Sequence, residues 1–187
     1  MALKQPPAYV AGHNLLQGKS VLITAAAGAG IGFAAAKRAA EEGARGVMIS
    51  DIHAGRLEKA VTLLREVTGL NEIYGQLANV TVEQEVQALV DGAEQTLDGV
   101  DVLINNAGLG GTRLLVDMAD DEWARVLDVT LTGTMRMTRA MLRKMQPRGA
   151  GVIVNNASVL GWRAQQEQCH YAAAKAGVMA LTRCSAL

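Results

Sequence analysis

Ser20–Glu42 reads S-V-L-I-T-A-A-A-G-A-G-I-G-F-A-A-A-K-R-A-A-E-E, and its three parts decide the fold. Ser20–Thr24 is a short apolar strand. Ala25–Gly32 is a loop of small residues broken only by Ile31. Phe33–Glu42 is a strong helix former, and Gly43 is its expected stop. A strand that passes through a small-residue loop into a helix opens a parallel βαβ unit. Small side chains let a phosphate approach the backbone. The helix N-terminus adds free amides and partial positive charge. This is the context that a dinucleotide-binding loop needs.

Gly46–Asp51 (G-V-M-I-S-D) is the second strand, and it ends in an acid. Asp51 lies 19 residues after Gly32, near the spacing at which a carboxylate bonds an adenosine ribose 2′-hydroxyl. A carboxylate there repels a 2′-phosphate. Ile52 and His53 follow it, and Ala29 in the loop is not basic. The expected cofactor is therefore NAD, with NADP less favoured. The plain alternative is that Asp51 caps a helix or a turn. Further along, Ala54–Thr68 has Leu57, Val61, Leu64 and Val67 at helical spacing. Asn71–Leu77 reads as a third strand, Val82–Leu97 as a helix and Asp120–Met145 as a long helix. Met137, Met141 and Met145 on that helix are expected in a core or an interface, not as ligands. Val100–Gly108 (V-D-V-L-I-N-N-A-G) and Gly151–Ser158 (G-V-I-V-N-N-A-S) are apolar runs that turn polar at their ends. Buried parallel strands look this way where they deliver side chains to the carboxyl edge of a sheet. The alternation predicts a parallel sheet with right-handed crossovers.

Tyr171 and Lys175 follow in C-H-Y-A-A-A-K-A-G-V-M-A-L. Positions i and i+4 share one helical face, so phenol and ammonium point the same way. A phenol is a poor base at neutral pH, and a cation beside it favours the phenolate. Bringing ionisation to neutral pH takes roughly 4 kcal/mol, more than one lysine is expected to supply. A second positive charge is therefore expected nearby. Ser158 stands thirteen positions before Tyr171. Taken alone, Y-x-x-x-K occurs on many helices, and Ser158 reads as an ordinary strand-end hydroxyl.

Together, the glycine loop, Asn105-Asn106-Ala107-Gly108, Ser158, and Tyr171 with Lys175 resemble the short-chain dehydrogenase/reductase family, single-domain branch. The resemblance runs from about Leu16 to the last residue. It implies an α/β, Rossmann-like, doubly wound parallel sheet in three layers. It implies reversible oxidation of a secondary alcohol to a ketone. Tyr171 is then the acid/base, Ser158 holds the substrate oxygen, and Lys175 binds the nicotinamide ribose and favours the phenolate. The oxidised nicotinamide is the second positive charge. Gly28, Gly30, Ile31, Gly32, Asp51, Asn79, Val80, Asn106, Ala107 and Gly108 fall on the cofactor-binding positions. Leu160, Trp162 and Arg163 fall on the substrate side, as do Leu109–Thr112, with Arg113 beside them. A homodimer or homotetramer is implied as well. The A-A-A-G-A-G-I-G, N-N-A-S-V-L-G-W-R and Y-A-A-A-K runs resemble actinobacterial members that act on hydroxylated acyl-CoA intermediates of steroid-ring breakdown.

Four departures from the family pattern stand out. Counted from Gly30 and Gly32, Ala25 and Ala26 take the places of the family's Thr-Gly, with Thr24 one position early. Thr130 stands where the family commonly has an asparagine of the proton relay. Asn79 replaces an aspartate near the adenine. The chain also stops at Leu187, before the family's last strands and substrate-covering segment. On that reading it is either a fragment or a naturally shortened form, with impaired or absent turnover, and the parent protein is the enzyme.

Residues 1–17, with Pro6 and Pro7, read as an N-terminal extension without a signal-length apolar core, and 18–187 as the domain. Half of the 187 residues are hydrophobic, enough for a core. Lys+Arg and Asp+Glu balance at 18 each, which argues against nucleic acid or a membrane surface as partner. Cys169 and Cys184 lack metal-ligand spacing and fit a reducing, cytoplasmic setting. A Cys169–His170 nucleophile is disfavoured, because sequence neighbours point apart on a helix. Two rival readings are an NADPH-dependent 3-oxoacyl-carrier-protein reductase and a shortened NAD-binding module without turnover. An extended-branch sugar-nucleotide epimerase shares Y-x-x-x-K but is not expected to carry N-N-A-G.

Overall fold

The computed structural model describes residues 8–186; the part of the N-terminal extension with Pro6 and Pro7 lies outside them. Five strands form, β1 Ser20–Ile23, β2 Gly46–Asp51, β3 Ile73–Leu77, β4 Val102–Asn105 and β5 Val152–Asn155. All are parallel, in the order β3-β2-β1-β4-β5. The chain winds outward from β1 to β3, then returns to place β4 on the other side of β1. That reversal opens a crevice beyond the carboxyl ends of β1 and β4.

Six helices connect and cover the sheet: α1 Ile31–Glu41, α2 Ala54–Thr68, α3 Glu83–Thr96, α4 Asp120–Leu127, α5 Gly133–Arg148 and α6 Cys169–Ser185. Successive strand residues face opposite sides, so each strand feeds two cores. Val21, Ile23, Val47 and Ile49 pack with Ala36 and Ala39 of α1 and Leu57 and Leu64 of α2. Leu22, Met48 and Leu103 pack with Val86, Leu89 and Val90 of α3 and Met137, Met141 and Met145 of α5. The methionines are core residues, as their spacing predicts.

The long helix predicted over Asp120–Met145 is present but not regular. Asp128–Thr132 forms a turn of wider π geometry between α4 and α5. Such bulges release the ordinary i to i−4 pattern for one turn and often mark functional sites. Here the bulge carries the buried Thr130, whose hydroxyl bonds the backbone of Leu109. β4 and β5 are shorter than their apolar runs: the Asn106 amide turns to Thr24 Oγ1, and the Asn106 and Asn156 side chains bond each other beyond the strand ends.

The loop after β1 also departs from the count made from Gly30. Thr24 ends the strand, and its Oγ1 accepts the amides of Asn106 and Ala107, both at 3.0 Å. Ala25 follows with φ of +51°, a left-handed conformation that costs a non-glycine residue about 1 kcal/mol. Its methyl group is exposed, so nothing compensates for it. Ala25→Gly is expected to raise the thermal midpoint by about 2–4 °C, read by circular dichroism. An unchanged or lower midpoint contradicts the strain.

Candidate active site

The β1–α1 loop presents bare backbone. A Cβ added at Gly28 or Gly30 would meet nothing within 4 Å, whereas at Gly32 it would meet Asn106 Nδ2 at 2.6 Å and Ala25 O at 2.7 Å. Gly32 therefore lets loop and β4 close on each other, while Gly28 and Gly30 leave room outside. Gly30 caps α1 without a side-chain bond, and the first turn of α1 holds no acid. Its free amides suit an anion. Ile31 beside them is exposed.

Asn106 ties this loop to the sheet. Its Nδ2 donates to Thr24 O and Ala25 O, at 3.1 and 2.9 Å. Its Oδ1 accepts from Asn156 Nδ2 at 3.0 Å. One register step back, Asn105 Nδ2 donates to Asn155 Oδ1 and Thr138 Oγ1, at 2.8 and 3.1 Å. The two N-N pairs thus stitch β4 to β5 and to the loop at once. Asn156 was not singled out from the sequence, although its repeat of the Asn105-Asn106 pattern was visible there.

At the far end of β2, Asp51 is 7% exposed. It accepts from His53 N at 3.1 Å and Ala27 N at 3.4 Å. Arg56 also donates to it, Nη2 to Oδ1 at 3.3 Å. The sequence places no basic residue directly after Asp51, but the first turn of α2 brings one back. Asp51 and Arg56 line a cleft of about 800 Å³ with Ser50, Asn79, Val80 and Ala107. That is room enough for a cofactor-sized ligand. Ser50 Oγ is buried there without a partner. Asn79 spends its side-chain oxygen on Thr81 N and Oγ1, at 3.0 and 2.9 Å. Its amide hydrogens are the groups left for a ligand.

Lys175 and Tyr171 stand on α6, and the ammonium lies 5.6 Å from the tyrosine ring centroid. Lys175 is only 4% exposed, and burial pushes its ammonium below the ordinary lysine range. Nζ donates to Asn156 O at 2.5 Å, so two of its hydrogens remain for a ligand. The N-A-G segment runs past this face. A Cβ at Gly108 would lie 3.6 Å from Lys175 Nζ and 3.8 Å from Thr130 Oγ1. One at Gly110 would lie 3.7 Å from the Tyr171 ring. Thr130 Oγ1 donates its one proton to Leu109 O at 3.0 Å and accepts Leu109 N at 2.9 Å. The hydroxyl is thus committed to holding the loop.

Ser158 caps a short 3-10 turn, Val159–Gly161, and Oγ accepts from Leu160 N at 3.2 Å. Its hydroxyl proton stays free for another acceptor. The turn packs on α6, since a Cβ at Gly161 would meet Lys175 O at 3.2 Å. The turn that follows Ser158 is thus packed against the helix that carries Tyr171 and Lys175. Trp162 is 76% exposed, and Arg163 is exposed too. Cys169 is exposed and His170 fully buried, so these neighbours do point apart. Among the described residues, no cluster of His, Cys, Asp or Glu could hold a metal, and no helix is long and apolar enough to cross a membrane.

Open loop amides, a buried acid 19 residues on, an unpartnered Ser50 and a lysine beside a tyrosine fit an elongated, phosphate-containing ligand with a reactive end at α6. The family model described as short chain dehydrogenase matches residues 19–187. A reductase of Mycobacterium tuberculosis, named for (5R,7aS)-5-hydroxy-7a-methyl-1-oxo-2,3,5,6,7,7a-hexahydro-1H-indene-carboxyl-CoA, is 56% identical over 100% of the chain. The chain spans 71% of that relative's length. The crystal structure of a short chain dehydrogenase from Mycobacterium smegmatis superposes with a TM-score of 0.93 at 56% identity, covering 97% of this chain and 75% of the other. Two structures at 35% identity carry different nucleotides. NAD⁺-bound xylitol dehydrogenase has a TM-score of 0.87 and covers 92% and 65% of the two chains. Actinorhodin polyketide ketoreductase with NADPH has a TM-score of 0.85 and covers 89% and 63%. The chain belongs to the short chain dehydrogenases, oxidoreductases that interconvert secondary alcohols and ketones with a nicotinamide dinucleotide.

Proposed function

We propose that this protein interconverts a secondary alcohol and a ketone on a bicyclic, CoA-linked acid from steroid-ring breakdown, with NAD as its cofactor. The 56% identity to the indene-carboxyl-CoA reductase, over 71% of that protein's length, supports the substrate class. One observation carries the chemistry: Lys175, Tyr171, Gly108 and Gly110 meet at the mouth of the crevice. The bound nicotinamide supplies or accepts the hydride. On this reading Tyr171 exchanges a proton with the substrate oxygen. Ser158 donates its free hydrogen to the same oxygen and steadies the developing charge. Lys175, fixed by Asn156 O, turns its remaining hydrogens to the ribose hydroxyls and keeps positive charge beside the phenol. Thr130 serves by pinning Leu109, so that the N-A-G backbone stays against the lysine. Gly28, Gly30, Ile31 and Gly32 hold the pyrophosphate, and Asn79, Val80, Asn106 and Ala107 frame the adenosine half.

The preference for NAD rests on Asp51. Its carboxylate sits at the cleft wall and would meet a 2′-phosphate with like charge. Arg56 tempers that repulsion and gives the NADPH-dependent 3-oxoacyl reductase reading its one structural support. Fluorescence titration with NADH and NADPH separates the two. We expect NADH to bind more tightly. Asp51→Ala is expected to weaken NADH about tenfold, the equivalent of one to two lost hydrogen bonds. NADPH binding tighter than NADH in the wild type would overturn this assignment. Two exposed free thiols are the support for a cytoplasmic setting. The groove between the outer faces of α5 and α6, with Met135, Leu142 and Leu181, is the support for a homodimer or homotetramer.

A further inference from the structure

His170 is fully buried at the first turn of α6, and neither ring nitrogen has a hydrogen-bond partner. A buried imidazole normally satisfies at least its N–H. A carboxylate stands close by, that of Glu122 in the first turn of α4, with Oε1 3.9 Å from Nε2. That is about 1 Å beyond an N–H···O bond. The ring also lies directly under the loop that follows N-A-G, because a Cβ at Gly111 would be 3.2 Å from Nε2.

The same loop is held at both ends. Leu109 is bonded in both directions by Thr130 Oγ1. Arg113 donates its amide to Glu167 O at 3.0 Å and its Nε to Glu122 Oε2 at 3.3 Å. Between these anchors Gly110 lies over the Tyr171 ring. Glu122 thus faces two groups, one on the loop and one on the helix that carries the tyrosine. A closer approach of α4 to α6 would satisfy His170 and press the loop toward Tyr171.

We propose that His170 is a positioning residue for the substrate side of the site: with Glu122 it draws the Leu109–Arg113 loop down on Tyr171. Contact between Nε2–H and the carboxylate forms as the loop settles over a bound substrate. The inference rests on Tyr171 being the group that meets substrate, as proposed above.

The test has two arms, each on His170→Phe, His170→Gln and Glu122→Ala. The first reads amide hydrogen exchange at Leu109 and Arg113, the two amides that anchor the loop, on Thr130 Oγ1 and Glu167 O. It needs no substrate. His170→Phe and Glu122→Ala are expected to exchange at least tenfold faster there. Amides of β1 should be unchanged, and His170→Gln, which keeps a donor near Nε2, should stay close to wild type. The second arm uses the indene-carboxyl-CoA hydroxy acid with NAD. The same two variants are expected to raise KM about tenfold, with NADH affinity unchanged. Wild-type exchange and wild-type KM in both would overturn the proposal and leave His170 a core residue. If His170→Phe does not fold, His170→Leu takes its place, because Glu122→Ala also removes the Arg113 bond. If the wild type turns over no CoA substrate, the exchange arm still decides the loop, while the substrate reading alone fails.

Discussion

Tyr171→Phe is expected to lower turnover by about 10²- to 10⁴-fold, the usual range for a general acid/base, while NADH affinity stays within about threefold. The change removes one oxygen and leaves the ring in place. The ring packs beside Gly110 and Lys175, and those contacts need no hydroxyl. Asp51, the glycine loop and Lys175 all remain for the nucleotide. Ser158 keeps its free hydrogen, so the substrate oxygen is still held but has no proton partner. Steady-state rates with the CoA-linked alcohol, beside a fluorescence titration with NADH, read both halves. A rate near wild type would remove Tyr171 from the chemistry. A large loss of NADH affinity would make it a binding residue instead.

Lys175→Met is expected to lower turnover at least about 100-fold and to weaken NADH about tenfold, since it removes both a charge beside the phenol and donors for the ribose. It is also expected to leave the protein no less stable at neutral pH, and the sign follows from burial. The folded state holds the ammonium below its ordinary pKa, so the unfolded chain binds that proton more tightly. Lysine at 175 therefore costs stability at neutral pH, and the cost fades as pH rises from the lowered folded value to the ordinary lysine value, where it is gone. Methionine has similar length and no charge to desolvate, so the penalty disappears with it. The bond to Asn156 O is lost in exchange. Thermal midpoints of both proteins at pH 7 check this. A drop of many degrees would mean that the lysine holds the fold together.

Much of this arrangement was legible in the chain because it depends on local patterns. The strand–loop–helix at Ser20–Glu42 and the helix Ala54–Thr68 need only apolar period and glycine stops, and Gly69 does end α2 in the left-handed region. Asn106 and Lys175 could be marked because polar residues at the end of an apolar strand, or four apart on a helix, share an edge or a face. The remainder depended on returns of the backbone that spacing does not encode. Arg56 reaches Asp51 only because α2 turns back over the β2 end. The π turn at Asp128–Thr132 decides that the hydroxyl of Thr130 faces Leu109, and no periodicity announces it. The left-handed bend at Ala25, just after Thr24, is likewise not encoded in spacing. Spacing also does not say how far Trp162 stands out from its turn, where it is 76% exposed. The burial of His170 depends on α4 packing on α6, which the spacing of neither helix encodes.

A crystal structure of the protein with bound NAD tests the account most directly. It should show the pyrophosphate on the Gly28–Gly32 amides, the adenosine ribose on Asp51, and the nicotinamide ribose on Lys175 with Tyr171 facing the ring. A nucleotide seated away from the β1–β4 crevice, or a nicotinamide with neither Lys175 nor Tyr171 in reach, would contradict it.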